Sequence, residues 1–492
     1  MNPRIVSLGA IWTTCLPLSV VLLSCVSQTP AAKPAQATSP EFGMAQDIVS
    51  FAAAVSKSLN DRSAKPAPSN TYSYETAYGP DELAEPPVYL APTATYSGLA
   101  STDCSGWVSF VVNTVSPLHE AVLQSQGRLP AYNQVYPDGF ALEEGQRPWS
   151  RAFVLTNFFR AEYAKSSGLA PVPRFEELRS GDIGAYAMGR YVDPSDASLI
   201  KTTDTGHTFI VMGPPSIVDP NTADYDGQGT LSAQAVKVIA VPVIDSSAAV
   251  HFDPDARKNE QGQYSLPKSS PYADAKPGGV GIGTLWFALG EDGRVLQRRL
   301  GPGETYADVV VGAARLQNVI SLQPEILDER GDLLVEIFDN SPSEFDGSSF
   351  GPAPIDLTGP GGIRLADGRL GLNGRSDFSG GVTVDSGELV VESDGALGTG
   401  DIDVRGGALT LRSPALGDTA ALQLSDDLED GAVRLDFSGT DIVGTFRIGD
   451  KVHRCGTWGA VGSGAMFTDT VFSGAGILQL AAEPIESCSL KN

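Results

Sequence analysis

The sequence predicts a chain of two halves, a first that mixes helices with strands and a second that is all-β. Three observations carry this. After Asp103, the apolar residues Trp107, Val108, Val111 and Val115 recur at helical spacing. The run Gly206-His207-Thr208-Phe209-Ile210-Val211-Met212-Gly213 alternates between glycines, which predicts a strand with His207, Phe209 and Val211 on one face. From about residue 350, runs of three to five alternating residues recur between Gly turns, the pattern of stacked short strands in a β-solenoid.

The chain has 492 residues and a formal net charge of −25, with 54 Gly and 34 Pro. This length allows several domains, and the Gly and Pro content favours turns over long helices. So acidic a chain, with no basic stripe, repels phosphate backbones, and nucleic acid is excluded as a partner.

Met1 to Arg4 carries one positive charge, Ile5 to Leu23 is mostly apolar, and Leu22-Leu23-Ser24-Cys25 follows. This reads as a signal peptide over 1–25 ending in a lipobox, with Cys25 the acylated residue. A plain signal peptide or a membrane-spanning anchor is the alternative. Val26 after Cys25 resembles Gram-negative lipoproteins held in the outer membrane. The chain is therefore expected in the cell envelope, lipid-anchored, on either the periplasmic or the surface side. Residues 26–62 read as a tether rich in Ser, Thr, Ala and Pro, then a short helix with Ile48, Phe51, Ala52, Val55 and Leu59 on one face.

Of five cysteines, Cys15 would leave with the signal peptide and Cys25 would be acylated. Cys455 and Cys488 can pair as a disulfide, which leaves Cys104 as an odd thiol in an exported protein, the sign of a reactive one. Asp103 and Ser105 suit a helix start, so Cys104 falls at a helix N-terminus, where free N–H groups favour a thiolate and can bind an oxyanion. A small buried cysteine at a helix start is the plainer alternative. Of the four histidines, His119 lies several turns from Cys104 and His453 lies in the second half; His207, which opens the strand read over 206–213, is the candidate base.

The strand Val236 to Ser247 is expected next, ending near Asp245, with Pro242 indicating an edge or a bulge. Asp245 can accept the Nδ1–H bond of His207 and hold its tautomer. His251 is its rival, as orienter or substrate ligand, and the stretch from His251 to Arg257 can line the same cleft. Tyr96, Asp103, Ser105 and Trp149 are further substrate-binding candidates; a core role is the alternative for Tyr96 and Trp149. Gly281 to Phe287 and Arg294 to Arg298 read as a hairpin with its turn at Gly290-Glu291-Asp292-Gly293.

Asp-Cys-Ser-Gly-Trp-Val at 103–108, Ser-Gly-Asp-Ile at 180–183 and Gly-His-Thr-Phe-Ile-Val-Met-Gly at 206–213 resemble the motifs of NlpC-like cell-wall cysteine peptidases, over about 96–317. The resemblance implies an α+β papain-like domain, with Cys on a helix N-terminus and His on an antiparallel sheet, and it assigns this domain to 63–318. It implies hydrolysis of amide bonds in peptidoglycan stem peptides by Cys104 as nucleophile, His207 as base and Asp245 as orienter. Thiol chemistry of this kind needs no cofactor and no metal. The alternative is a surface binding or structural lipoprotein whose papain-like domain is inactive.

Residues 378–390 and 396–401 resemble the autotransporter-associated β-strand repeat, and 435–440 with 455–460 resemble the end of such arrays. This implies an all-β right-handed β-solenoid over 356–480, after a connecting region at 319–355 and before a tail at 481–492. Asp401, Asp403, Asp426, Asp427 and Asp430 are weighed as acid–base or calcium groups, with turn chemistry preferred. His453 with Cys455 is a weaker metal alternative to the disulfide.

Overall fold

The computed structural model describes residues 40–61, 63–64, 68–73, 88–89, 98–127, 150–188, 206–222, 225–258, 277–337, 344–345, 348–349 and 354–481. The apolar face read over 48–59 forms helix α1 (Pro40–Leu59), which buries Met44, Ile48, Phe51, Ala52, Val55 and Leu59. Helix α2 (Cys104–Val115) ends where Pro117 forces a break, and Ser116 caps it through its N–H to the Val112 carbonyl. His119 is therefore on a separate helix, α3 (Pro117–Gly127), and α4 (Ala152–Phe158) follows. These are the four α-helices among the described residues.

The strands β1 (Ser69–Thr71), β2 (Val88–Tyr89) and β3 (Leu99–Ser101) form a small sheet in the order β1-β3-β2. The main sheet comprises β4 (Leu169–Pro171), β5 (Ile183–Met188), β6 (His207–Val211), β7 (Ser216–Ile217), β8 (Lys237–Ser247), β9 (Gly279–Leu289), β10 (Val295–Arg299) and β11 (Ala307–Leu316). Its order is β10-β9-β8-β6-β5-β11-β4, with β7 added to β8. Gln297 and Arg298 of β10 also pair with Asp308 and Ala307 of β11, so six strands close into a barrel.

Alternation along the strands divides the side chains between the inside and the outside of the barrel. Phe209 and Val211, Ile239, Val241 and Val243, and Leu285, Phe287 and Leu289 pack together inside the barrel. Ile183, Ala185, Ile210 and Ile244 face out and meet α1, α2 and α4. Pro242 was expected at an edge or bulge, but β8 lies between β6 and β9 and its register with β9 is continuous. It is tolerated because the partner on its other side changes there from β6 to β7, and its carbonyl still accepts the Met212 N–H at 2.9 Å.

Beyond the barrel, short strands stack in parallel. One sheet runs through Asp332–Glu336, Gly362–Asp367, Val382–Val384, Ile402–Val404, Ala421–Leu424 and Thr445–Ile448. A second runs through Arg369–Leu372, Glu388–Val391, Ala408–Leu411, Val433–Leu435 and Phe472–Gly474. Register places like on like: Ile363, Val382, Ile402, Leu422 and Phe446 form one row, and Leu370, Leu389, Leu409, Val433 and Phe472 another. These side chains are buried, each contributing roughly 1.5–3 kcal/mol. The turns need glycine: a Cβ at Gly407 (φ +67°) would come within 2.1 Å of the Gly387 carbonyl oxygen in the turn beneath.

Both exposed ends of the first parallel sheet are covered. Helix α3 packs against Asp332–Glu336, and Asn113 donates to the Glu336 carbonyl at 2.8 Å. At the other end Lys451–His453 folds back antiparallel on Thr445–Ile448.

The expectation of an α+β papain-like domain followed by a right-handed solenoid is corrected by this architecture. The chain is mostly β, and its largest sheet is a closed barrel. The β10–β11 pairing is what closes the antiparallel sheet into a barrel. The two halves also share one apolar core, which runs from α1, α2 and α3 into the parallel stack.

Candidate functional site

Cys104 opens α2. Asp103 caps the helix, its carboxylate accepting the Gly106 N–H at 2.7 Å and the Ser105 hydroxyl at 3.0 Å. The two polar residues expected to touch substrate are thus engaged in fixing the helix start. Burial pushes the Asp103 carboxyl up from its ordinary value, against the lowering effect of those bonds and of the Arg151 and His207 charges. The loop before the helix is tied to the barrel: Ser246, next to Asp245 on β8, donates to the Thr102 carbonyl at 2.7 Å.

His207 is the first residue of β6, with its ring 5.7 Å from that of Tyr186 and 6.4 Å from that of Phe209. It lies close enough to Cys104 for the sulfur to act on the charge of its ring. Its Nε2 is 2.5 Å from Asp245 Oδ2, so Nδ1 is the nitrogen left to face the thiol. This corrects the expected tautomer, in which Asp245 was to hold Nδ1. Burial opposes a charge on His207, but the Cys104 sulfur and Asp245 outweigh it and push the ring up to about 10.

Asp245 is fully buried and holds more than His207. His251 Nε2 is 2.6 Å from the same Oδ2, and Arg257 Nη1 donates to Oδ1 at 3.0 Å. Burial raises the Asp245 carboxyl, but His251 and Arg257, with the His207 bond, hold it well below the ordinary carboxylate range. His251 is not in the pair itself; its ring centroid stands 6.2 Å from that of His207. Burial, with Arg257 beside it, keeps His251 below its ordinary value although Asp245 pulls the other way.

The ligand atoms of His207, Asp245 and His251 lie within 4.8 Å of one another, a spacing a metal could use. The contacts are those of hydrogen bonds, however. A zinc at about 2.0–2.2 Å from each donor would have to stand between atoms that are already touching. Arg257 brings a cation to the same carboxylate.

Cys104 is the free cysteine among the described residues, and Cys455 is disulfide-bonded. Cys488, Cys25, Tyr96 and Trp149 lie outside the described residues, as does the expected signal peptide. His453 packs its ring 4.1 Å from Trp458 and 5.1 Å from Phe446. Asp401 and Asp403 serve the stack: Asp401 accepts the Ala421 N–H and Asp403 pairs with Arg405. Asp182 of the Ser-Gly-Asp-Ile stretch is taken by Arg315, which grips both its oxygens at 2.8 Å.

Arg257 escaped the sequence reading as an individual residue. The signal was present in Gly281 and Gly283, two glycines on one face of a strand, which mark a close approach by another part of the chain. A Cβ at 281 would lie 2.4 Å from Arg257 Cγ, and one at 283 would lie 2.7 Å from His251 Cβ.

Among the described residues no helix is long and apolar enough to cross a membrane. No family model, curated protein or solved structure matches the chain.

Proposed function

We propose that the chain is an exported cysteine hydrolase that cleaves amide bonds in peptidoglycan stem peptides. The observation that carries this reading is the buried group Cys104, His207 and Asp245, in which a thiol at a helix start stands near an imidazole whose Nε2 is held by a carboxylate. The substrate class rests on the resemblance of 103–108, 180–183 and 206–213 to cell-wall peptidase motifs.

In the proposed reaction His207 Nδ1 takes the thiol proton and Cys104 Sγ attacks the carbonyl carbon. The N–H groups of Cys104 and Ser105, in the first turn of α2 and not taken by Asp103, bind the oxyanion. His207 then gives its proton to the leaving amine, the C–N bond breaks, and a thioester remains on Cys104. A water that loses its proton to His207 attacks the thioester, the C–S bond breaks, and the proton returns to the sulfur.

The test is mass spectrometry of peptidoglycan fragments incubated with the purified full chain. Wild type is expected to release new free amines and carboxylates, and Cys104→Ala to fall to background. Undiminished cleavage by Cys104→Ala would sink the proposal.

The lipobox supports a second part of the reading, an anchor on Cys25 that holds the enzyme in the envelope, at the outer membrane. The Cys25→Ser variant should leave the membrane fraction and carry no acyl group. An acylated, membrane-bound Cys25→Ser protein would refute the anchor.

A further inference from the structure

The residues around Asp245 form a built cradle that the proposed reaction does not use. Segment 251–258 is folded around Asp255, whose Oδ2 accepts the His251 backbone N–H at 2.9 Å and whose Oδ1 accepts Arg257 Nε, also at 2.9 Å. Lys258 closes the turn, donating to the His251 carbonyl at 2.6 Å and to Asp253 at 3.0 Å. Arg257 Nη1 reaches the Gly279 carbonyl as well as Asp245. The segment thus delivers two donors to one buried carboxylate. The opposite strand leaves room for it at Gly281, the register partner of Asp245, and at Gly283.

We propose that His251 and Arg257 are positioning residues: they lock the Asp245 carboxylate in the one orientation that presents Oδ2 to His207 Nε2, and so keep His207 aimed at Cys104. This rests on reading Cys104 and His207 as a reactive pair. A carboxylate buried with a single donor can rotate away or take up a proton, and three donors on its two oxygens prevent both. The division of labour between the two residues follows from their chemistry. Arg257 supplies the charge that keeps Asp245 an anion. His251 supplies a neutral Nε2–H, and its Nδ1 is buried with no hydrogen-bond partner among the described residues. A neutral ring steadies Oδ2 without placing a second cation beside the His207 imidazolium.

The experiment is the rate of iodoacetamide alkylation at Cys104, read peptide by peptide on the full chain across pH. His207 is faced by Cys104, Asp245, Asp103 and His251; His251 is faced by Asp245, Arg257, Asp255, Lys258 and His207. His251→Leu and Gly281→Ala, the second of which displaces Arg257, should each slow alkylation at mildly acid pH about tenfold, the effect of one pK unit. His251→Gln, which keeps a donor, should recover most of the rate. If His207→Ala slows alkylation while His251→Leu and Gly281→Ala match wild type, positioning is overturned and the pair stands. If His207→Ala itself matches wild type, the reading of the pair fails instead.

Nitrogen NMR of wild-type protein labelled at histidine tests the same point without any variant. His251 should stay neutral with a proton on Nε2 and a bare Nδ1. A proton on Nδ1, or free titration near 6.5, would overturn the proposal even if every variant failed to fold.

Discussion

The barrel and the parallel stack treat charge in opposite ways. At the barrel site Asp245, Arg257, Asp255, His207 and His251 are all buried and bonded to one another. In the stack, most charge pairs lie on the outside, as Arg369 with Glu388, Arg405 with Asp403 and Arg412 with Glu392 do; Arg364 with Asp328 is more deeply set. The stack's interior rows are apolar. Asp441 departs from this pattern, buried where it accepts the Ala415 and Leu416 N–H groups. Burying an ion is expensive unless every partner is in place. The stack limits that cost by keeping most of its ion pairs in water, whereas the barrel site meets it, and a chain retains such an arrangement where orientation matters more than stability.

This contrast can be broken or sharpened by four measurements. Asp245→Ala strands Arg257 and two histidines without their anion and should cost about 3–5 kcal/mol in denaturant unfolding. A loss below 1 kcal/mol would mean that the network is slack and the contrast with the stack false. Leu409→Ala removes the middle of an apolar row and should cost about 2–5 kcal/mol by the cavity it leaves. A loss as small as that of a surface change would show the stack to be loosely packed.

The third measurement is a pH series. His119, buried on α3 with Nδ1 2.7 Å from Ser116 Oγ, is lowered to about 4 by burial, although its backbone neighbours pull the other way. Below about 6.5 the unfolded chain takes a proton that the folded chain refuses, so folding weakens as pH falls from about 6.5 to about 4, by roughly 3 kcal/mol in all. The His119→Gln variant should lose that share of the acid sensitivity. An unchanged slope in unfolding experiments would assign the sensitivity elsewhere. The smallest effect is expected from Arg412→Ala. Its ion pair with Glu392 is half exposed and should be worth within about 1 kcal/mol, read as a small change in Tm.

Local patterns were legible in the sequence and distant pairings were not. The helix after Cys104, the strand opening at His207 and the strand running into Asp245 each follow from residues within a dozen positions of one another. Barrel closure depends on Gln297 and Arg298 meeting Asp308 and Ala307 in register, which no periodicity announces. Pro242 misled because its effect on a ladder depends on which strand lies beside it, and that strand changes at this residue. The histidine tautomer was equally out of reach: which ring nitrogen meets Asp245 depends on how β8 lies beside β6, which no local pattern encodes. Arg257 became visible only with Gly281 beneath it.

The parallel rows also decide how this chain can change length. Excising one whole turn, from Val382 to Asp401, would set Ile402 on Ile363 and Leu409 on Leu370, apolar residue on apolar residue. The barrel has no such freedom, since removing any strand opens the ring that carries His207 and Asp245. Growth and loss by duplication are therefore open to one half of the molecule, while the other half must change by single substitutions.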